Sequence, residues 1–224
     1  MQKTDSKSSR KIFEHEFYTP FRVERVEIDG VRHYATPSGM KYKSVTTILG
    51  EKTDKTALME WRKRVGEVEA NKISTQAANR GTAVHDIAEQ YLLNQERYPK
   101  GVMPANIDTF KKIRPILDER IGKVFGLEYY LYSDTLKTAG ATDCIAEFDG
   151  INSIVDFKTS RKLKKEEWIE NYFLQATCYA MMTEERLPII VPQIVILIAV
   201  DHEEPQVFVK DKEQYVDQVR EIFS

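Results

Sequence analysis

The dipeptide Asp149-Gly150 constrains the fold of this chain most, because it separates two apolar-rich runs with the strongest short-range hairpin signal. In a hairpin with a two-residue turn, Phe148 lies opposite Ile151 and the pairing continues outward along both strands. Counting outward in this register places Asp143 directly opposite Asp156. The sequence therefore predicts two carboxylates facing each other across neighbouring strands.

Lys158 adds a positive charge to this predicted pair, because it lies two residues after Asp156 and so projects from the same face of its strand. Directly opposed side chains have Cβ atoms about 4.5–5.5 Å apart, and opposed like charges are destabilising. A cation between the two carboxylates would remove that repulsion. A four-residue loop over residues 149–152 would pair Asp143 with Lys158 and keep all three on one face, whereas a three-residue loop would separate Asp143 from the others.

The composition of the 224-residue chain is that of a globular protein, with 42% hydrophobic and 30% charged residues. We expect a flexible tail over residues 1–15 and one domain over residues 16–224, including an N-terminal hairpin and a helical segment. No apolar run approaches the roughly 20 residues of a membrane-spanning helix, so no membrane contact is expected. The formal net charge of −2 gives no global basic signature, so nucleic-acid contacts would have to come from local patches.

The chain has 2 cysteines, Cys144 and Cys178, and both have apolar neighbours. We predict that they are buried thiols in a reducing compartment. They are too few for a four-cysteine zinc or iron–sulfur site within the chain.

Hydrophobic periodicity predicts an α/β (α+β) fold, in which a central mixed β-sheet from about residue 125 to residue 209 is flanked by helices. A first hairpin is expected around Asp29-Gly30. The segment Ser44–Leu49 suits a strand or the start of a helix. The predicted helices cover residues 53–79, 82–94, 106–120, 166–184 and 212–223, and the further strands cover 125–132, 189–200 and 206–209.

Polar residues recur at four places in an order that is more specific than any one of them. The pairs are Gly81 with His85, Gly140 with Asp143, Asp156 with Lys158, and Gln175 with Tyr179. Each also has a purely structural explanation: a half-buried histidine with a hydrogen-bonding neighbour, strand-edge charges that reach solvent, a salt bridge, and the polar flank of a helix. The combination favours a functional site.

The series Gly-x-x-x-His, Gly-x-x-Asp, Asp-x-Lys and Gln-x-x-x-Tyr resembles the RecB-type branch of the PD-(D/E)xK nuclease superfamily. The resemblance covers roughly residues 41–180. Within that branch, the segments 44–49, 143–147 and 156–160 look like those of mitochondrial genome maintenance exonucleases and related phage exonucleases. The chain lacks the four cysteines that bind an iron–sulfur cluster in some members, and it has no phosphate-binding loop.

The resemblance implies a restriction-endonuclease-like core and a metal-dependent DNA exonuclease that hydrolyses phosphodiester bonds, with a preference for single-stranded DNA or free ends. The expected cofactor is Mg²⁺ or Mn²⁺, without an iron–sulfur cluster or ATP. The alternatives are a structure-specific endonuclease of the same fold and a non-catalytic nucleic-acid-binding subunit. Replication or recombination proteins are conceivable partners. Because Asp5 and the lack of an amphipathic pattern argue against a transit peptide, we expect the cytoplasm (of the host cell, for a phage protein) in preference to the mitochondrial matrix.

The resemblance also implies roles for individual residues. The catalytic residues would be Asp143, Asp156 and Lys158, with Lys158 aiding the attacking water. The metal would be held by His85, Asp143, Asp156 and the backbone carbonyl of Phe157, while Glu128 would orient neighbouring groups. The nucleic-acid-binding residues would be Gln175, Tyr179, Arg80, Thr159 and Ser160, of which the last three are candidates for phosphate contacts.

Overall fold

The part of the chain that the computed structural model describes, residues 10–223, contains eight strands and six α-helices. The strands are β1 (Glu24–Ile28), β2 (Val31–Ala35), β3 (Lys41–Ser44), β4 (Ile121–Ser133), β5 (Thr138–Phe148), β6 (Ile151–Ser160), β7 (Gln193–Val200) and β8 (Gln206–Asp211). The helices are α1 (Val45–Lys52), α2 (Thr56–Val65), α3 (Glu67–Leu92), α4 (Pro104–Arg120), α5 (Glu170–Arg186) and α6 (Val216–Phe223).

All eight strands belong to one mixed sheet, which confirms the predicted fold class. Its order is β1-β2-β3-β5-β6-β7-β8, and β4 pairs with the other edge of β5. The pairs β3–β5 and β6–β7 are parallel and the remaining pairs are antiparallel. The sheet is wider than the predicted range, because the first hairpin joins it through β3.

The turn between β5 and β6 has the predicted register. Asp149 and Gly150 have φ angles of 53° and 76°, as a type I′ turn requires, and Phe148 pairs with Ile151. The ladder continues to Cys144 opposite Val155. One further step along the two strands leads to Asp143 and Asp156, as counted from the sequence.

Strand β5 shares one edge between two partners. Its first residues, Thr138 and Ala139, pair with β3, and residues 144–148 pair with β6. Between these ladders, residues 140–142 pair with β4 on the opposite edge. Within the described residues, this edge of β5 therefore has no strand partner over residues 140–143, and the site described below lies at this gap.

Hydrophobic cores cover both faces of the sheet. On one face, α1, α5 and α6 pack on side chains that include Ile145, Ile154 and Ile196. On the other face, α3 and α4 pack on side chains that include Val155 and Phe157. Both cysteine thiols are buried and free, as predicted from their neighbours.

The predicted helix boundary at Gly81 is wrong. Helix α3 runs without interruption from Glu67 to Leu92, and the break lies at Gly66, where a φ of 85° ends α2. The predicted single helix over residues 53–79 is therefore split between α2 and the first half of α3. The ambiguous segment after β3 is helical, because the Ser44 hydroxyl accepts a hydrogen bond from the Thr47 amide and caps α1.

The predicted flexible tail differs from the structure over residues 10–15, whereas residues 1–9 lie outside the described range. Phe13 is buried in the core beneath α3 and α4. The amide of Val124 donates a hydrogen bond of 2.8 Å to the Glu14 carbonyl, which ties this segment to β4. Along the described residues, no helix combines the length and apolarity needed to cross a membrane.

Candidate active site

Asp143 contacts two other elements at the candidate site, strand β6 and helix α3. Its side chain is 12% exposed and accepts a 2.7 Å hydrogen bond from the backbone amide of Phe157 on β6. Its second carboxylate oxygen lies 3.4 Å from Nδ1 of His85 on α3. Burial opposes ionisation, but the charges of His85 and Lys158 and these hydrogen bonds outweigh it and lower the pKa of Asp143.

His85 approaches Asp143 from the middle of the C-terminal half of α3. Burial acts to lower the pKa of the imidazole, but the charge and hydrogen bond of Asp143 dominate and raise it to about 9. The ring packs edge-on against Phe157, with centroids 6.2 Å apart. His85 is thus held by two neighbours, the Asp143 carboxylate and the Phe157 ring. The carboxylate partner is itself one of the predicted site residues.

Glu128 reaches the same place from β4. Its backbone has a φ of 43°, a left-handed conformation that non-glycine residues rarely adopt and that concentrates at functional sites. Burial, reinforced by the charge of Asp143, raises the pKa of the Glu128 carboxyl to about 7. The two carboxyl groups therefore oppose each other's ionisation.

Asp156 forms a second polar cluster with Lys158 and Gln175. Asp156 is 1% exposed and ion-paired with the Lys158 ammonium group, and Gln175 Nε2 donates to its other oxygen at 3.2 Å. Burial, with the charge of Asp143, raises the pKa of Asp156 to about 6 despite Lys158. Burial acts to lower the pKa of Lys158, but Asp156 and Asp143 reverse this and raise it. The ammonium group also lies 5.1 Å from the centre of the Tyr172 ring.

One group of side chains could hold a metal ion, and it includes two of the predicted ligands, His85 and Asp143. His85, Glu128 and Asp143 each offer a ligand atom, and these atoms lie within 4.8 Å of one another. One imidazole and two carboxylates suit a hard divalent cation, which would also relieve the opposition between the two acids. Asp156 lies outside this close set, and its carboxylate contacts Lys158 and Gln175. Phe157 contributes its amide to Asp143.

Tyr179 lies beside the site but is only 4% exposed. It packs over Gly140, where an added Cβ atom would lie 2.7 Å from the tyrosine hydroxyl oxygen. The Gly140–Tyr179 contact therefore sets how closely α5 approaches β5, and Tyr179 lines a cavity together with Glu128 and Gln175.

The three residues predicted to contact phosphate differ in their contacts within the protein. Arg80 is ion-paired with Asp201, just beyond the end of β7. The Ser160 hydroxyl donates a 2.6 Å hydrogen bond to the Lys162 carbonyl. Thr159 is half-buried, and its hydroxyl faces the α-carbon of Gly81. Two of the three side chains are therefore engaged within the protein.

Comparisons with known proteins reveal similarity to an exonuclease by sequence and a partial structural likeness to solved structures. No family model matches the chain. The chain is 31% identical over 111 residues to mitochondrial genome maintenance exonuclease 1 of Mus musculus, which covers 48% of this chain and 32% of that protein. The match thus spans about a third of the relative's length. A crystal structure from Eubacterium rectale, described as a proposed exonuclease, overlaps 66% of this chain and 63% of its own, with 17% identity and a TM-score of 0.42.

Glu128 is the residue whose position in the close ligand set the sequence did not predict. Its carboxylate interrupts a strand that is otherwise apolar and aromatic, from Val124 to Leu131. Acidic residues are disfavoured in such strands, so the presence of Glu128 there is the sequence signal that pointed to a special role. Its alignment with Asp143 depends on irregular pairing in β4, where the register shifts twice between Ile121 and Gly126.

Proposed function

We propose that this chain is a divalent-metal-dependent deoxyribonuclease of the RecB-type PD-(D/E)xK group, and that it acts as an exonuclease on single-stranded DNA or free ends. The observation that carries the proposal is the convergence of His85, Glu128 and Asp143 beside the buried Asp156–Lys158 pair. The sequence match to a protein named as an exonuclease supports it.

Mg²⁺ or Mn²⁺ fits the residues present. His85, Glu128 and Asp143 would hold the ion, and Asp156 and the carbonyl of Phe157 are proposed as additional ligands. When bound, such an ion activates water and polarises a phosphoryl oxygen. The imidazole must give up its proton to serve as a ligand, so binding would be coupled to proton release.

Lys158 is proposed to act as a fixed cation. Because Asp156 and Asp143 raise its pKa, the ammonium group keeps its proton and is not a general base. It can donate hydrogen bonds to the attacking water or to a phosphoryl oxygen and stabilise the charge that develops there. Asp156 and Gln175 orient this group, since Asp156 pairs with it and Gln175 fixes Asp156.

The decisive experiment is digestion of end-labelled single- and double-stranded DNA with Mg²⁺, Mn²⁺ or a chelator. We expect hydrolysis with either metal, no hydrolysis with the chelator, and faster hydrolysis of the single strand. A closed circular single strand should resist digestion, because an exonuclease needs an end. Cleavage of the circle would favour the endonuclease, and binding without cleavage under every metal condition would favour the non-catalytic subunit.

A further inference from the structure

A cavity of about 270 Å³ adjoins the active site on the side of the N-terminal hairpin. Glu128 and Gln175 line it, so it shares one residue with the metal-binding set and one with the Asp156–Lys158 cluster. Its lining also includes Arg25 from β1 and Arg32 from β2. The cavity therefore joins the proposed reaction centre to a pair of guanidinium groups.

The two arginines project from one face of the hairpin. Arg25 pairs with Tyr34 across β1 and β2, and Arg32 lies two residues before Tyr34 on the same strand. Both guanidinium charges act on the Tyr34 phenol, where they oppose the rise in pKa that burial causes. Arg32 also donates a hydrogen bond to the Thr46 hydroxyl at the start of α1, which fixes its direction.

Neither guanidinium group is neutralised. Among residues 10–223, no carboxylate lies within ion-pair distance of Arg25 or Arg32, although Glu27 is the cross-strand neighbour of Arg32. Arg80, the arginine predicted to contact phosphate, is by contrast paired with Asp201. Guanidinium groups match phosphate geometry and are weakly hydrated, so two unpaired ones beside a cavity are suited to binding a phosphodiester.

Tyr130 provides an aromatic surface in the same cavity. It lies on β4 two residues after Glu128, is 38% exposed, and packs edge-on against Tyr34 with ring centroids 6.0 Å apart. A ring held by a neighbour and still partly open to solvent can stack on a base at little entropic cost.

We propose that Arg25, Arg32 and Tyr130 form a subsite for one nucleotide of a DNA strand next to the scissile phosphate. The arginines bind the backbone phosphate, and Tyr130 stacks on the base. The subsite rests on the proposed function for its substrate class, but its affinity for a DNA strand can be measured without any cleavage.

The test measures equilibrium binding of a labelled oligodeoxythymidylate, and of an abasic strand of equal length, in chelator over a range of salt concentrations. Arg25→Ala/Arg32→Ala should weaken binding of both strands by about tenfold or more. The slope of log affinity against log salt should fall by about 0.7, because the two arginines together neutralise one phosphate of the single strand. The matched control is Arg97→Ala/Arg220→Ala, which removes two exposed arginines away from this cavity and should match wild type.

Tyr130→Ala should weaken binding of the oligodeoxythymidylate by about five- to 150-fold but leave the abasic strand unchanged, whereas Tyr130→Phe should keep the affinity of wild type. Thermal melts of all variants verify folding. The subsite is overturned if the arginine variant binds like its control, if Tyr130→Ala weakens both strands equally, or if wild type binds neither strand. Cleavage by wild type with metal is scored separately, so failure of the proposed function is recognised independently of these outcomes.

Discussion

At the scale of single residues, Glu128 combines a strained backbone, a partly buried carboxyl group and a like-charged neighbour. Left-handed strain at a non-glycine residue costs on the order of 1–3 kcal/mol and persists only where the surroundings enforce it. Here the paired residues on either side, Leu127 and Tyr129, hold the strand in place. The backbone strain and the like-charge repulsion at Glu128 both reduce the stability of the metal-free protein.

Glu128→Gln should separate the effect of the carboxylate on stability from its proposed role in metal binding. The substitution removes one of two opposed carboxylates, so the Tm of the metal-free protein should rise by about 2–4 °C for each kcal/mol of repulsion removed. The rise in Tm on adding Mn²⁺ should shrink, and cleavage should fall by about 100-fold or more. Glu119→Gln, an exposed position on α4, is the control and should change none of these quantities. A Glu128→Gln protein with wild-type cleavage would remove Glu128 from the proposed ligand set.

Two substitutions of Lys158 distinguish its contribution to stability from its proposed role in cleavage. Lys158→Ala leaves Asp156 buried without its cation, which should reduce the free energy of unfolding by about 3–5 kcal/mol in addition to abolishing cleavage. Lys158→Arg keeps a cation and should retain most of that stability, yet lower kcat by about 100-fold because the guanidinium group is larger and planar. Denaturant melts and single-turnover rates measure the two effects. Parental cleavage by Lys158→Ala would exclude the proposed role of the lysine.

At the scale of elements, the sequence predicted those features that depend on neighbouring residues alone. The Asp149-Gly150 turn fixed the register of β5 and β6, because left-handed φ angles at both positions select one loop length. The choice between Gly66 and Gly81 as a helix break could not be made in the same way. Gly81 lies opposite Thr159 in the packed structure and continues the helix, so tertiary contacts overrode a local signal.

Gly140→Ala tests how α5 approaches β5. The added methyl group would lie 2.7 Å from the Tyr179 hydroxyl oxygen, and such overpacking typically costs about 1–3 kcal/mol. Tyr179→Phe in the same protein should recover part of this stability, because it removes that oxygen. Gly50→Ala on α1, where nothing lies within 4 Å of the added atom, should instead be neutral or stabilising by about 0.5–1 kcal/mol. Equal effects at Gly140 and Gly50, measured by denaturant melts, would contradict the close packing of Tyr179 on Gly140.

At the scale of the whole molecule, β5 and β6 contribute to both hydrophobic cores. Ile145 and Ile154 belong to one core, and their neighbours Cys144 and Val155 belong to the other. Neither core can unfold without exposing strands that the other needs.

We therefore expect residues 16–224 to unfold as one domain. Near- and far-ultraviolet circular dichroism should show coincident melting curves with one midpoint. Mn²⁺ should shift that midpoint upward as a whole, by an amount equivalent to about 2.7 kcal/mol at a hundred times its Kd. Separated transitions, or a shift confined to one probe, would contradict a single domain.

The candidate site could be predicted from sequence only where its residues lie in motifs of fixed spacing. The structure brings these motif residues into two clusters: His85 contacts Asp143, and Asp156 contacts Lys158 and Gln175. The ligand role of Glu128 and the unpaired arginines of the first hairpin depend on strand pairings between segments far apart in the chain. No local pattern specifies which of several arginines lacks a carboxylate partner.

The hydrogen bond from the Phe157 amide to Asp143 connects the main chain of β6 to a carboxylate of the candidate site. The acceptor is the side-chain carboxylate of Asp143, and it lies just beyond the last paired residues of β5 and β6. If Asp143 binds a metal ion as proposed, its carboxylate should accept this hydrogen bond less strongly, and the hydrogen-exchange rate of the Phe157 amide should rise when Mn²⁺ is added. The β5–β6 ladder ends at Cys144 and Val155, and beyond that pair the bond to Asp143 still ties β6 to β5.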